Sequence, residues 1–130
     1  MRTDQHYKQG ALVASSTFPR RDEAVPAARK WAVDKYLRAG GTEAETCALL
    51  VSELVTNAVE YAEGDRFEVA VRASPFSIDV SDGSPKEPER QGPSDEDEHG
   101  RGLILVHALS AHFEVKQIEG GKTCSFWLEG

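Results

Sequence analysis

Cysteine is scarce, with only Cys47 and Cys124 in 130 residues, and neither belongs to a CxxC pair. That excludes a disulfide framework and a zinc site built on thiolates, and both thiols are expected to be reduced and buried in their apolar-rich segments. No apolar run approaches the ~20 residues of a membrane-spanning helix, and residues 1–10 are polar, without the apolar core of a signal sequence. These two absences predict a cytoplasmic protein that does not engage a membrane. Basic charge is also in short supply. Fifteen Lys and Arg against 22 Asp and Glu leave a net charge of -7, and a duplex binder needs a basic surface to displace counterions, so direct binding of nucleic acid is excluded. A basic partner, or an anionic ligand held by backbone amides, stays open. The common phosphate loops are missing as well. There is no GxGxxG, and Gly121-Lys122-Thr123 only imitates the end of a P-loop, because Lys116 stands where its first glycine belongs and a strand is expected to follow. Four histidines give no metal pattern: His107 and His112 straddle an expected helix end, while His6 and His99 fall in loops. Ser52, Ser81 and Ser84 have no histidine spaced for a catalytic triad.

What is present fits one domain over residues 1–130, with residues 1–10 expected to be flexible. At this length roughly 65–70% of the unfolded chain's surface can be buried, enough for a core without staples. Residues 11–18 read as a first strand. Ala28, Ala32, Tyr36 and Leu37 recur at helical spacing from about Ala24, with Pro26 tolerable in the first turn and Gly40-Gly41 as the stop. Thr42 and Glu45 read as a capping box opening the longest helix, which runs to about Ala62. Phe67, Val69 and Val71, then Phe76, Ile78 and Val80, alternate with polar residues on either side of Ser74-Pro75 and predict an antiparallel hairpin. From 84 to 99 the pattern dissolves into prolines and the acidic cluster Asp95, Glu96, Asp97 and Glu98, the composition of a lid. Leu103, Leu105, Val106 and Leu109 predict a short buried helix, and two strands near 113–118 and 123–129 close the chain. The expected fold is an α/β two-layer sandwich: a mixed, mostly antiparallel sheet covered on one face by three helices.

Three places could carry chemistry. Glu53 and Asn57 lie four apart and so leave the same face of the long helix. With Thr46, Thr56 and Glu60 they form either an ordinary solvated stripe or a site in which Asn57 offers its amide oxygen to Mg²⁺ and Glu53 orients or deprotonates a nucleophile. Asp82 is next in phase after Phe76, Ile78 and Val80. It is either the start of a turn or a carboxylate aimed at the helix-covered face, where it could accept from an exocyclic amino group such as adenine N6. Gly100-Arg101-Gly102-Leu103 precedes a helix, and it is either a flexible turn or a place where amides approach an anion at the positive end of the helix.

Taken in order, Glu53, Asn57-Ala58, Asp82, Gly100-Arg101-Gly102-Leu103 and Gly121-Lys122-Thr123 resemble the Bergerat-fold (GHKL) ATPase superfamily. The phrase Ser52-Glu53-Leu54-Val55-Thr56-Asn57-Ala58 is similar to its branch of bacterial anti-sigma-factor serine/threonine kinases. The resemblance spans about 18–129. It implies ATP and Mg²⁺ as cofactors, Glu53 as catalytic base and Asn57 as the Mg²⁺ ligand. It further implies Asp82 on the adenine amino group with Thr123 helping through water, and Gly100, Arg101, Gly102 and Leu103 at the phosphates beneath an ordering lid. Two features depart from the superfamily pattern. Its Asp-x-Gly-x-Gly becomes Asp82 followed by Ser84 and Lys86 at the glycine positions. The apolar phase Cys124, Phe126 and Leu128 turns Thr123 away, although Trp127 shares its phase and leaves the other orientation open.

The resemblance implies a protein kinase that phosphorylates an antagonist protein of the anti-anti-sigma type and binds a sigma factor, and it allows a homodimer. The competing reading is a catalytically silent nucleotide-binding module used for protein interaction, favoured by Ser84 and Lys86 and disfavoured by Glu53.

Overall fold

The computed structural model describes residues 7–83, 106 and 108–129. Five strands and two helices fall within them: β1 (Ala11–Pro19), α1 (Ala24–Arg38), α2 (Ala44–Tyr61), β2 (Arg66–Ala73), β3 (Ser77–Asp82), β4 (His112–Ile118) and β5 (Gly121–Trp127). The strands form one sheet in the order β1-β2-β3-β5-β4, and every pairing is antiparallel. The lid residues 84–99 and the turn 100–103 lie outside the described residues. Of the third expected helix, Val106, Ala108 and Leu109 are described and are helical, so the described part of the fold has two complete helices where three were expected.

Alternation decides which face is covered. Phe67, Val69 and Val71 of β2, Ile78 and Val80 of β3, and Cys124 and Phe126 of β5 are buried beneath the helices. Their neighbours Glu68, Arg72, Ser81 and Thr123 take the opposite face, as period-2 geometry requires. In α1 the residues Ala24, Ala28, Ala32 and Tyr36 are buried at intervals of four, and small alanines let the helix sit close to α2 and the sheet. Leu37, expected on that stripe, is exposed instead, since it follows Tyr36 by about 100° around the helix. Helix α2 buries Cys47, Leu50, Val51, Leu54, Val55, Ala58 and Val59 and packs over β3.

The capping box expected at Thr42 and Glu45 is not formed: Glu43 is the N-cap and makes no side-chain cap bond. The hydroxyl of Tyr36 replaces it, accepting from the amides of Thr42 at 3.2 Å and Glu43 at 2.8 Å. Gly41 lies flat on the same ring; a Cβ there would come within 2.2 Å of it. One buried phenol on the last turn of α1 thus holds the two amides that lead into α2.

Strand β3 ends at Asp82, and the chain returns to the sheet at its edge as β4 before β5 slots in beside β3. Val106, on this crossover, is fully buried in the core. Both cysteines are buried and neither is in a disulfide, as expected. No described helix is long and apolar enough to cross a membrane.

Candidate functional site

Asp82 is the last residue of β3, and it follows Ile78 and Val80 in phase, so its carboxylate points to the helix-covered face. Its side chain is only 3% exposed. Desolvating a carboxylate costs several kcal/mol unless a partner compensates it, and the partner here is Lys122. Asp82 and Lys122 are opposite each other in the β3–β5 register, and Lys122 shares the inward phase of Cys124 and Phe126. Its ammonium donates to both carboxylate oxygens, at 3.1 Å to Oδ1 and 2.9 Å to Oδ2, and its side chain is 6% exposed. The result is a buried zwitterionic edge at one end of the sheet.

Backbone crowds this end. A Cβ on Gly121 would meet the Asp82 carbonyl oxygen at 1.9 Å, and one on Gly83 would meet the Glu63 carbonyl oxygen at 2.7 Å. Only glycine allows both approaches. The second contact brings the chain just beyond the C-terminus of α2 against the end of β3, so the last turns of α2 lie at the Asp82 end of the molecule. Asn57, four residues before Tyr61 at the end of α2, is about 6 Å back along the axis, and Glu53 is about one turn further. Both are half-buried beside the apolar stripe of Leu54 and Ala58. They leave the same side of the helix, as their spacing predicts.

Helix α2 is held at its middle and at its C-terminal end. Arg29 donates to the Ser52 hydroxyl at 3.2 Å, next to Glu53. Arg20 donates to the carbonyls of Val59 at 2.6 Å and Gly64 at 2.7 Å. A guanidinium on a C-terminal carbonyl satisfies an orphan acceptor and complements the helix dipole.

Thr123 is not brought together with Asp82. It lies on the open face of the sheet, where its hydroxyl is 2.8 Å from that of Ser81. Of the two orientations that the sequence leaves open, the phase of Cys124, Phe126 and Leu128 prevails. Trp127 shares Thr123's phase and is buried without helices, under the N-terminal segment: the Tyr7 ring lies edge-on to it, and its indole donates to the Lys8 carbonyl at 3.2 Å. That open face also holds Asp79, which accepts from Arg72 at 3.1 Å and Ser125 at 2.7 Å. Gly100, Arg101, Gly102 and Leu103 lie outside the described residues, as do Ser84 and Lys86. Among the described residues no group of three or more His, Cys, Asp or Glu could hold a metal ion.

Sequence reasoning missed Lys122 at this site. The signal was present: extending the inward phase Leu128, Phe126, Cys124 by one more step reaches it, directly across from an inward aspartate.

Comparison with known proteins agrees with this fold. The chain resembles a solved structure, the RsbU and RsbW domains of Rv1364c from Mycobacterium tuberculosis, with a TM-score of 0.66 and 20% identity. The match covers 89% of this chain and 31% of that one, so this chain spans about a third of that protein's length. No curated protein matches it by sequence. The profile of the histidine kinase-like ATPase domain matches residues 18–126, a span that runs from the end of β1 through Phe126 of β5 and includes Glu53, Asn57, Asp82 and Lys122, and the chain belongs to that family.

Proposed function

We propose that this protein binds ATP with Mg²⁺ and acts as a cytoplasmic serine/threonine protein kinase of the anti-sigma-factor type, phosphorylating an antagonist protein and binding a sigma factor. The observation that carries the reading is the inward Asp82, buried on the helix-covered face of a histidine kinase-like ATPase domain. A buried carboxylate at the end of a central strand is an acceptor suited to a purine amino group. The likeness to a structure containing an RsbW domain supports partners of the partner-switching kind.

In this reading Asp82 holds the base and Asn57 offers its amide oxygen to the metal. Gly100, Arg101, Gly102 and Leu103 meet the phosphates. Mg²⁺, when bound, neutralises charge on the transferring phosphoryl group. Glu53 accepts the proton of the attacking hydroxyl, which is a poor nucleophile while protonated. One feature of the structure supports such a ligand: the inward, buried acceptor at the end of a central strand. Thr123, on the other face, has no part in holding the base.

Incubation with labelled ATP and candidate antagonist proteins tests the reading. Label should pass to a serine or threonine with the wild type and not with Glu53→Gln, while ATP binding is retained. Binding without transfer in the wild type would favour the silent interaction module, for which Ser84 and Lys86 in place of glycines speak.

A further inference from the structure

The ion pair at the end of the sheet changes what a base would meet there, and the inference below rests on the nucleotide-binding reading above. A lone carboxylate accepts from the amino group of adenine and repels the carbonyl oxygen that guanine carries at the same ring position. That repulsion excludes guanine. Here the carboxylate is not alone: the Lys122 ammonium bonds both of its oxygens, placing a donor beside the acceptor on the same inward face.

Purine edges offer complementary pairs. Adenine presents an amino donor next to the N1 acceptor. Guanine presents the O6 acceptor next to the N1–H donor. A carboxylate beside an ammonium satisfies either, with the two groups exchanging which ring position they meet. We propose that Lys122 is a specificity-determining residue that makes the base site of this protein read both adenine and guanine nucleotides. The cross-strand register sets Lys122 opposite Asp82 and so holds donor and acceptor side by side on the inward face. The buried setting gives the pairing its weight, because an unmatched polar group there is not rescued by water.

The test is a calorimetric titration of the full chain with ATP and with GTP, each with Mg²⁺, for the wild type, Lys122→Thr and Lys122→Arg. The wild type should bind the two nucleotides within about tenfold of each other. Lys122→Thr should favour ATP by about 100-fold or more, since O6 then faces an unneutralised carboxylate. Lys122→Arg keeps a cationic donor and should stay within about tenfold. If Lys122→Thr does not fold, the wild-type ratio and Lys122→Arg decide. A wild type that binds ATP but binds GTP over 100-fold more weakly, or a ratio unmoved by Lys122→Thr, overturns the role of Lys122 and leaves ATP binding standing. Failure of both nucleotides to bind the wild type removes the nucleotide reading and this inference with it.

Discussion

Tyr36 concentrates several functions in one side chain. Its ring is fully buried, meets Phe76 edge-on with centroids 5.3 Å apart, and its hydroxyl caps α2. Tyr36→Phe keeps the ring and orphans two amides, so it should cost about 1–3 kcal/mol, measured by urea denaturation. Cys47 gives a pH signature. Burial pushes its thiol from 9.0 up to about 12, and burial also raises the Tyr36 phenol, against the hydrogen bonds from Glu43 and Thr42 that lower it. Both groups are neutral when folded and ionise more readily when unfolded. Their contribution to stability is therefore complete below about pH 9 and is lost as pH rises toward 12. Thermal melts should be flat in this respect up to about pH 8.5 and fall steeply above it, with a shallower fall in Cys47→Ala. An equally steep fall in that variant would show that the thiol is not the source.

At the scale of elements, the join of β3 to β5 is the sensitive point. Gly121→Ala would drive a Cβ into the Asp82 carbonyl, a clash with backbone rather than with a yielding side-chain tip. It should destabilise by about 3 kcal/mol or more, and displace Asp82 as it does so. The strands, α1 and most of α2 were legible in the sequence, because period-2 and period-3.6 patterns are set by local burial and survive without knowledge of the partners. Asp82's inward direction was legible for the same reason. What was not legible depended on contacts between elements. Thr42 and Glu45 have the spacing of a capping box, but Tyr36 from the preceding helix takes the Thr42 amide that the Glu45 side chain would have reached, and the Glu43 amide beside it. Lys122 looked like part of a turn because a charged residue is rarely placed inward. Only the register that sets it opposite Asp82 makes its burial affordable. Leu37 looked like core because it neighbours Tyr36 in sequence, whereas the helix rotates it out to solvent.

For the whole molecule, a sheet with one covered face and one open face separates two sets of polar residues. Asp82 and Lys122 lie under the helices, and Asp79, Ser81, Thr123 and Ser125 lie on the open side. On the proposed reading the nucleotide lies on the covered side, and this divides the effects of mutation. Ser81→Ala and Thr123→Ala should leave ATP affinity within about twofold, as expected for residues whose hydroxyls bond each other away from the base. Asn57→Ala should weaken binding in Mg²⁺ more than in its absence, and equal losses would count against its metal role. The central claim is that a purine is held at the Asp82–Lys122 end of the sheet. Removing Asp82 alone would strand a buried ammonium, so the pair is best replaced together, which is often near neutral for folding. The most direct measurement is a calorimetric ATP titration with Mg²⁺ of the wild type against Asp82→Ala with Lys122→Met, with folding checked by circular dichroism. The wild type should bind saturably and the folded double variant about 10- to 150-fold more weakly. Equal affinity in the two proteins would contradict the central claim.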